Sequence, residues 1–358
     1  MAEVWDLLAR VLLLRHRKRQ EEIADDVVRG VARSWRYVRF TDLDHSQVPF
    51  LDSALSTIET GFEQSQMATS SFLRDYRTVA TLSQGVDIPE RPVIAPASRA
   101  VRDSPVDLSV LEHLRDDTSS GVDISAVEHL WAKPFDEGRA AVDLISAGPG
   151  AVKRAMPAPE DMAMASGLKG STGAAVRHAM NGGRDVALTE AQEDQFAVGW
   201  QRITDENPCY FCAILAANGP LYKRRTSFSN KNSKTGKEFA PNLAFDVTGE
   251  PSGIAKVHNH CRCTIAPVFE GFEQVDPWGK VALRIWRKVT REGLSGGAAM
   301  KEYRRLYGEN LKSDDPVSGD GIDELEVRAA IDRTLRSVPA GGDAAKFLQS
   351  QKRLLRAA

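Results

Sequence analysis

All four cysteines of this chain fall in two short clusters, and two histidines join the second cluster. The clusters are Cys209-Tyr-Phe-Cys212 and His258-Asn-His260-Cys261-Arg-Cys263. A C-x-x-C turn directs two thiolates at one point, and a second group of Cys and His side chains can complete a tetrahedron around zinc. The spacing therefore predicts a zinc site built from both clusters.

Zinc in a structural site takes four protein ligands, and Cys209 and Cys212 supply two of them. His258 and Cys261 stand three residues apart, which suits a turn. Two sulfurs from a C-x-C segment would need a strained or extended backbone. The preferred ligands are Cys209, Cys212, His258 and Cys261, with Cys263 as the main substitute and His260 outside the set.

A catalytic alternative uses one thiolate activated by His258 or His260, with a polar neighbour to orient the histidine. Asp205, Asp246 and Asn259 are candidates for that neighbour. Buried thiols without a ligand, and a redox disulfide, are further alternatives. Catalysis does not need four cysteines in two pairs, so metal binding is favoured. The sequence contains no H-E-x-x-H, G-x-S-x-G or phosphate-binding glycine loop, and it identifies no catalytic residue.

The composition is that of an ordinary soluble protein. The 358 residues are 27% charged and 42% hydrophobic, with a formal net charge of -2. The chain as a whole is not a polycation, so any nucleic-acid contact would have to be local. The N-terminus lacks the basic-then-apolar order of a signal peptide, and no apolar run approaches the roughly 18 residues of a membrane span. We expect a soluble protein without membrane contact.

Helical periodicity dominates the chain on either side of the cysteines. The predicted fold class is mainly α, with a helical N-terminal region and flanking helices around a small α+β domain of zinc-knuckle type. The predicted divisions are a helical domain at 1–84, a Pro-rich linker at 85–108, a helical domain at 109–204, the Cys/His domain at 205–270, a helical segment at 271–312, a linker at 313–323 and C-terminal helices at 324–358.

Three local predictions can be compared with a structure. The sequence Asn-Gly-Gly-Arg at 181–184 predicts a turn between helices at 161–181 and 189–204. Residues 264–269 predict a strand that leaves the second cluster. The amphipathic helices at 324–356 follow a flexible linker, which would let them dock in a partner's groove.

A polar segment between the two clusters carries six basic residues: Lys223, Arg224, Arg225, Lys231, Lys234 and Lys237. Such a segment is typical of a solvated loop, and the alternative is a strip that contacts DNA weakly or touches another subunit. Phe228 alone offers little for base stacking, which weakens the nucleic-acid interpretation.

The pattern Cys209-x-x-Cys212, Gly219 and a terminal His258-x-x-Cys261-Arg-Cys263 resembles the phage Mu protein F-like family of minor head proteins. The resemblance covers roughly residues 180–270. It implies a component of the virion head, assembled in the host cytoplasm, with the portal protein and the major capsid or scaffold protein as partners. In related phages such a gene product is often labelled a capsid maturation protease.

Three classes of function follow from these observations. The first is a structural minor capsid protein whose zinc site fastens a small domain. The second is a maturation protease that cleaves scaffold or capsid protein. The third is a DNA-binding or ejected head protein that uses the basic loop, against which the near-neutral net charge counts.

Overall fold

The computed structural model describes residues 2–85, 134–194, 196–217, 219, 221–222, 259–269, 272, 276–310 and 323–357. The described part is mainly helical with one small sheet, which confirms the predicted fold class. Nearly all of the predicted linkers and the whole of the basic loop at 223–238 lie outside the described residues.

The described part of the chain contains ten α-helices, three strands and two short 3-10 helices at Trp35–Tyr37 and Phe40–Asp42. The helices are α1 (Ala2–Ser34), α2 (Leu43–Gln84), α3 (Glu137–Ala147), α4 (Pro149–Ala155), α5 (Glu160–Glu193), α6 (Tyr210–Ala216), α7 (Pro277–Arg291), α8 (Gly296–Asn310), α9 (Glu324–Leu335) and α10 (Asp343–Ala357). The strands are β1 (Ala197–Ile203), β2 (Leu221–Tyr222) and β3 (Thr264–Phe269), in the antiparallel order β2-β1-β3.

The long helices α1, α2 and α5 pack together and form the body that carries the rest. Ile23 and Val27 of α1, Ile58 and Phe62 of α2 and Ala179 of α5 are buried in one apolar cluster. The two residues of α1 are four positions apart, as are the two of α2, which places each pair on one face of its helix. No helix in the described ranges is both long enough and apolar enough to cross a membrane.

The predicted turn at 181–184 is wrong, because α5 runs through it without interruption. A Cβ atom on Gly182 would lie 2.3 Å from the Phe62 carbonyl oxygen, and one on Gly183 would lie 2.4 Å from Thr69 Oγ1. The two glycines therefore serve close packing of α5 against α2. A glycine pair is compatible with a turn or with such an approach, and local sequence does not distinguish the two.

The helix predicted at 189–204 is also wrong over its second half, where β1 pairs with β3. Ala197–Ile203 is short and almost wholly buried, and a short buried run shows no decisive periodicity. The predicted strand at 264–269 is confirmed as β3. The sheet thus joins segment 109–204 to the Cys/His segment 205–270.

The C-terminal helices form as predicted, but they are not free docking arms. Val327 and Ile331 of α9 and Leu348 of α10 are buried in the same cluster as Trp5 and Leu8 of α1. Their apolar faces are already used within the chain, so that part of the sequence interpretation is wrong.

His16 joins α1 to the first residue of β3. Its ring stacks on Phe72 with centroids 4.3 Å apart, and its Nε2 lies 3.3 Å from Thr264 Oγ1. Burial lowers the pKa of His16 to about 3. The folded protein therefore keeps this ring neutral at pH values where the unfolded chain protonates it.

We predict that His16 makes the fold sensitive to acid. Stability is unaffected by this residue above the unfolded pKa near 6.5, and it falls as the pH drops from there towards 3 because only the unfolded state gains the proton. Between pH 7 and pH 5 the loss should be about 2 kcal/mol. Urea unfolding of wild type and His16→Phe at both pH values measures it. An equal loss in both proteins would contradict the prediction.

Candidate metal centre

Three of the four cysteines meet in the interior. The Sγ atoms of Cys212, Cys261 and Cys263 all lie within 4.8 Å of one another, and all three residues are buried. The Sγ atoms of Cys212 and Cys261 are 3.6 Å apart. Three thiols at this separation could hold a metal ion.

The first cysteine cluster forms the start of α6. Cys209 is the N-cap residue, and its Sγ accepts a hydrogen bond from the Cys212 N–H at 3.4 Å. Cys209 is partly buried and packs against the other three cysteines, and its thiol interacts with that of Cys212. The C-x-x-C segment therefore directs both sulfurs to one side of a single helical turn.

The second cluster contains a sharp bend just before β3. His260 has a left-handed φ of 67°, which is uncommon for a residue other than glycine. The His260 N–H donates to the Gly173 carbonyl of α5 at 2.9 Å. A Cβ atom on Gly173 would lie only 2.5 Å from His260 Nε2, so the glycine makes room for the histidine ring. This bend explains how Cys261 and Cys263 both reach the cluster, which we expected to need a strained backbone.

Arg184 of α5 fixes the position of the C-x-C segment. The side chain is 1% exposed. Its Nε donates to the Cys263 carbonyl at 2.9 Å and its Nη2 to the Cys261 carbonyl at 2.7 Å, while Nη1 donates to Asn181 Oδ1 at 2.9 Å. One guanidinium group therefore binds both cysteine carbonyls, a geometry that lysine could not reproduce.

A second buried arginine, Arg202 of β1, lies beside the sulfurs and hydrogen-bonds the Cys263 side chain. Burial acts to lower the pKa of Arg202, but Cys261, Cys263 and Cys212 raise it above its ordinary value. The hydrogen bonds from Cys212 and Cys263, with Arg184 and Arg202 nearby, hold the pKa of Cys261 well below the usual range. Cys261 therefore favours the thiolate, which is the form that binds metals. The hydrogen bonds with Cys209 and Cys261 raise the pKa of Cys212. The hydrogen bond with Cys212 acts to lower the pKa of Cys263, but the hydrogen bond with Cys261 and burial raise it.

Asp205 lies at the edge of the centre, and its Oδ1 is buried without a hydrogen-bond partner. Burial, followed by the charge of Cys261, raises the pKa of Asp205 to about 7. Near pH 7 the carboxyl group of Asp205 is therefore protonated in roughly half of the molecules.

Asp276 connects the sheet to the next helix. Its carboxylate accepts hydrogen bonds from the Thr204 N–H at 2.8 Å and from the Gly279 N–H at 2.9 Å, the second of which caps α7. Residue Thr204 directly follows β1. This buried carboxylate sets α7 against the end of β1, close to the cysteine centre.

The other candidates from the sequence are placed as follows. His258, Asp246 and the six basic residues Lys223, Arg224, Arg225, Lys231, Lys234 and Lys237 lie outside the described residues. Asn259 and His260 are exposed. The sequence interpretation missed Arg184, Arg202 and Asp276. The available sequence signal for Arg202 was a basic residue in the mostly apolar segment 197–203.

The sequence profile of the VG15 protein family, a family of viral and phage proteins, matches residues 140–279. The match begins in α3, ends in the first turn of α7 and contains all four cysteines and both arginines. It supports a phage protein. No curated protein and no solved structure matches the chain.

We predict that Arg184→Met destabilises the protein by about 2–4 kcal/mol, because two buried carbonyls lose charged hydrogen-bond donors. Arg184→Lys should recover only part of this loss, since an ammonium group cannot bind both carbonyls in one plane. Chemical denaturation gives the stability, and hydrogen exchange at 259–264 gives the local effect.

The matched control is Arg154→Met, which removes an exposed arginine that donates to the Ser146 carbonyl. It should change stability by less than about 0.5 kcal/mol. Equal effects of Arg154→Met and Arg184→Met would show that Arg184 has no special role.

Proposed function

We propose that this chain is a phage minor capsid protein of head morphogenesis, acting near the portal or the inner capsid surface, with a structural zinc site. The observation that carries the proposal is the buried cysteine centre within the part of the chain that matches a viral and phage family. The ordered motif from Cys209 to Cys263 supports the narrower assignment, because it resembles minor head proteins of the phage Mu protein F-like type.

The thiol geometry fits zinc. A tetrahedron with Zn–S bonds of about 2.3 Å has edges of about 3.8 Å, and the Cys212–Cys261 separation is 3.6 Å. Cys209, Cys212, Cys261 and Cys263 would hold the ion. We favour Cys263 over the His258 of the sequence-based set, because its sulfur lies within 4.8 Å of two others.

Charge balance supports the same four ligands. A zinc ion with four thiolates carries two net negative charges, and a buried charge is costly unless it is paired. Arg184 and Arg202 supply two buried positive charges beside the cysteines. With a histidine in place of one thiolate, the metal centre would carry one net negative charge beside two guanidinium groups, and the charges would no longer balance.

A structural role suits this centre better than catalysis. Three sulfurs are buried, and four protein ligands leave no open position on the ion. The ion would tie α6 to β3 across the intervening segment and so reduce the entropy of the unfolded chain, as a disulfide does. The head proteins that surround the portal would then bind a rigid unit.

We predict one zinc per chain in protein purified without added metal, measured by native mass spectrometry. Cys261→Ser should weaken zinc binding at least about a hundredfold, because it removes a ligand and not a supporting group. His258→Ala is the matched control and should retain zinc at full occupancy. A folded wild-type protein without metal would refute the zinc site, and zinc loss in His258→Ala would restore His258 as a ligand.

We also predict that purified heads of the parent phage contain this chain at low copy number. The Cys261→Ser chain should be excluded from heads, since its docking unit would be loosened. Quantitative mass spectrometry of procapsids and virions measures incorporation, with Arg154→Met as a control that should assemble normally. Presence in the lysate but absence from heads would contradict the head assignment. New termini on capsid or scaffold protein that depend on this chain would favour the protease.

A further inference from the structure

Helix α7 carries a continuous basic stripe on its outer face. The stripe consists of five exposed residues: Lys280, Arg284, Arg287, Lys288 and Arg291. They follow one another by three or four residues, or directly, so they share one side of the helix over about 16 Å. The helix itself contains no acidic residue.

The stripe is not neutralised by its surroundings. None of its five cations forms an ion pair with another residue in the described part of the chain. Glu302 of α8 lies near Lys288, but its carboxylate pairs with Arg305. Over residues 275–310 there are eight basic and four acidic residues, although the whole chain has a net charge of -2. This part of the molecule therefore has a local positive potential.

The opposite face of α7 is already buried. Trp278, Val281 and Ile285 form one cluster with Tyr303 and Tyr307 of α8. A basic amphipathic helix that inserts into a lipid surface or a partner's groove needs that apolar face to be free. Only the charged face of α7 is available for binding.

The chemistry of the available face points to phosphate groups. The five cations, with Leu283 and Glu292, line a shallow depression. The anchors of tight protein interfaces, arginine included, lie in well-packed and fully desolvated pockets, whereas the stripe borders only a shallow depression with the half-buried Leu283 as its one apolar residue. Contacts to a nucleic-acid backbone need cations alone. Trp286 packs edge-on against Tyr303 and does not provide a platform for base stacking, which favours a duplex over a single strand.

We propose that the basic stripe of α7 binds the phosphate backbone of duplex DNA without preference for base sequence. This surface is distinct from the loop at 223–237, and the proposal does not rest on the head assignment. The helix that carries these cations is capped and packed, so binding orders only side chains and not the backbone, and even a short stripe can hold several phosphates.

The test uses the full chain and two fluorescent 20-base-pair duplexes of unrelated sequence, with binding followed by anisotropy between 50 and 200 mM salt. Wild type should bind both duplexes with similar affinity. The slope of log K against log salt concentration should be about -2.7 to -3.6, for three or four phosphate contacts. Arg284→Ala/Arg287→Ala/Arg291→Ala should bind at least tenfold more weakly at 50 mM salt, with a slope reduced in magnitude by about 2.7.

Two variants serve as controls. Arg336→Ala/Lys346→Ala/Arg353→Ala removes three exposed cations, namely Arg336, which directly follows α9, and two residues of α10, and it should bind as wild type does. Alanine at the six basic positions of loop 223–237 tests the alternative surface. Thermal melting should show that every variant keeps its fold, because all the side chains changed in the two triple variants are exposed.

The proposal is overturned if the α7 triple variant binds as tightly as wild type, or if the α9–α10 control loses as much affinity. Loss of binding only in the loop variant would assign the contact to the loop. Binding to poly-glutamate but not to DNA would assign the stripe to an acidic protein, and binding to neither would leave it a solvated face.

Discussion

The arrangement of the cysteine centre depends on two buried guanidinium groups beside clustered sulfurs. Arg184 of α5 donates to the carbonyls of Cys261 and Cys263. Arg202 of β1 lies beside the sulfurs of these two residues and hydrogen-bonds the Cys263 side chain. Buried cations are tolerated only where negative charge or hydrogen-bond acceptors meet them. The positions of α5, β1, α6 and β3 are therefore coupled through the charges of this one centre. A shift of any of these elements would change how well the positive and negative charges are paired.

Close packing of the helices holds the cysteine centre in place. Glycines at 182 and 183 allow α5 to lie close against α2, and Gly173 of the same helix admits the bend at His260. Asp276 connects this region to α7, because its carboxylate accepts hydrogen bonds from the end of β1 and from the first turn of α7. A bound ion at the cysteines would thus stabilise the sheet and indirectly orient the charged surface of α7.

Sequence reasoning succeeded where the signal was local and failed where it was not. The cysteine spacing indicated the centre, and the β-branched and aromatic residues of 264–269 indicated β3. The glycines of α5 looked like a turn, because their close packing with Phe62 and Thr69 is a contact between distant segments. Arg184 could not be identified for the same reason, since its acceptors lie 77 and 79 residues further along the chain.

X-ray absorption at the zinc edge of the purified 358-residue chain is the decisive measurement, because it counts the atoms bound to the metal. We expect a single shell of four sulfur atoms at about 2.3 Å, whose negative charge Arg184 and Arg202 balance. A shell that includes nitrogen at about 2.0 Å would contradict the four-thiolate centre and the charge balance on which it depends.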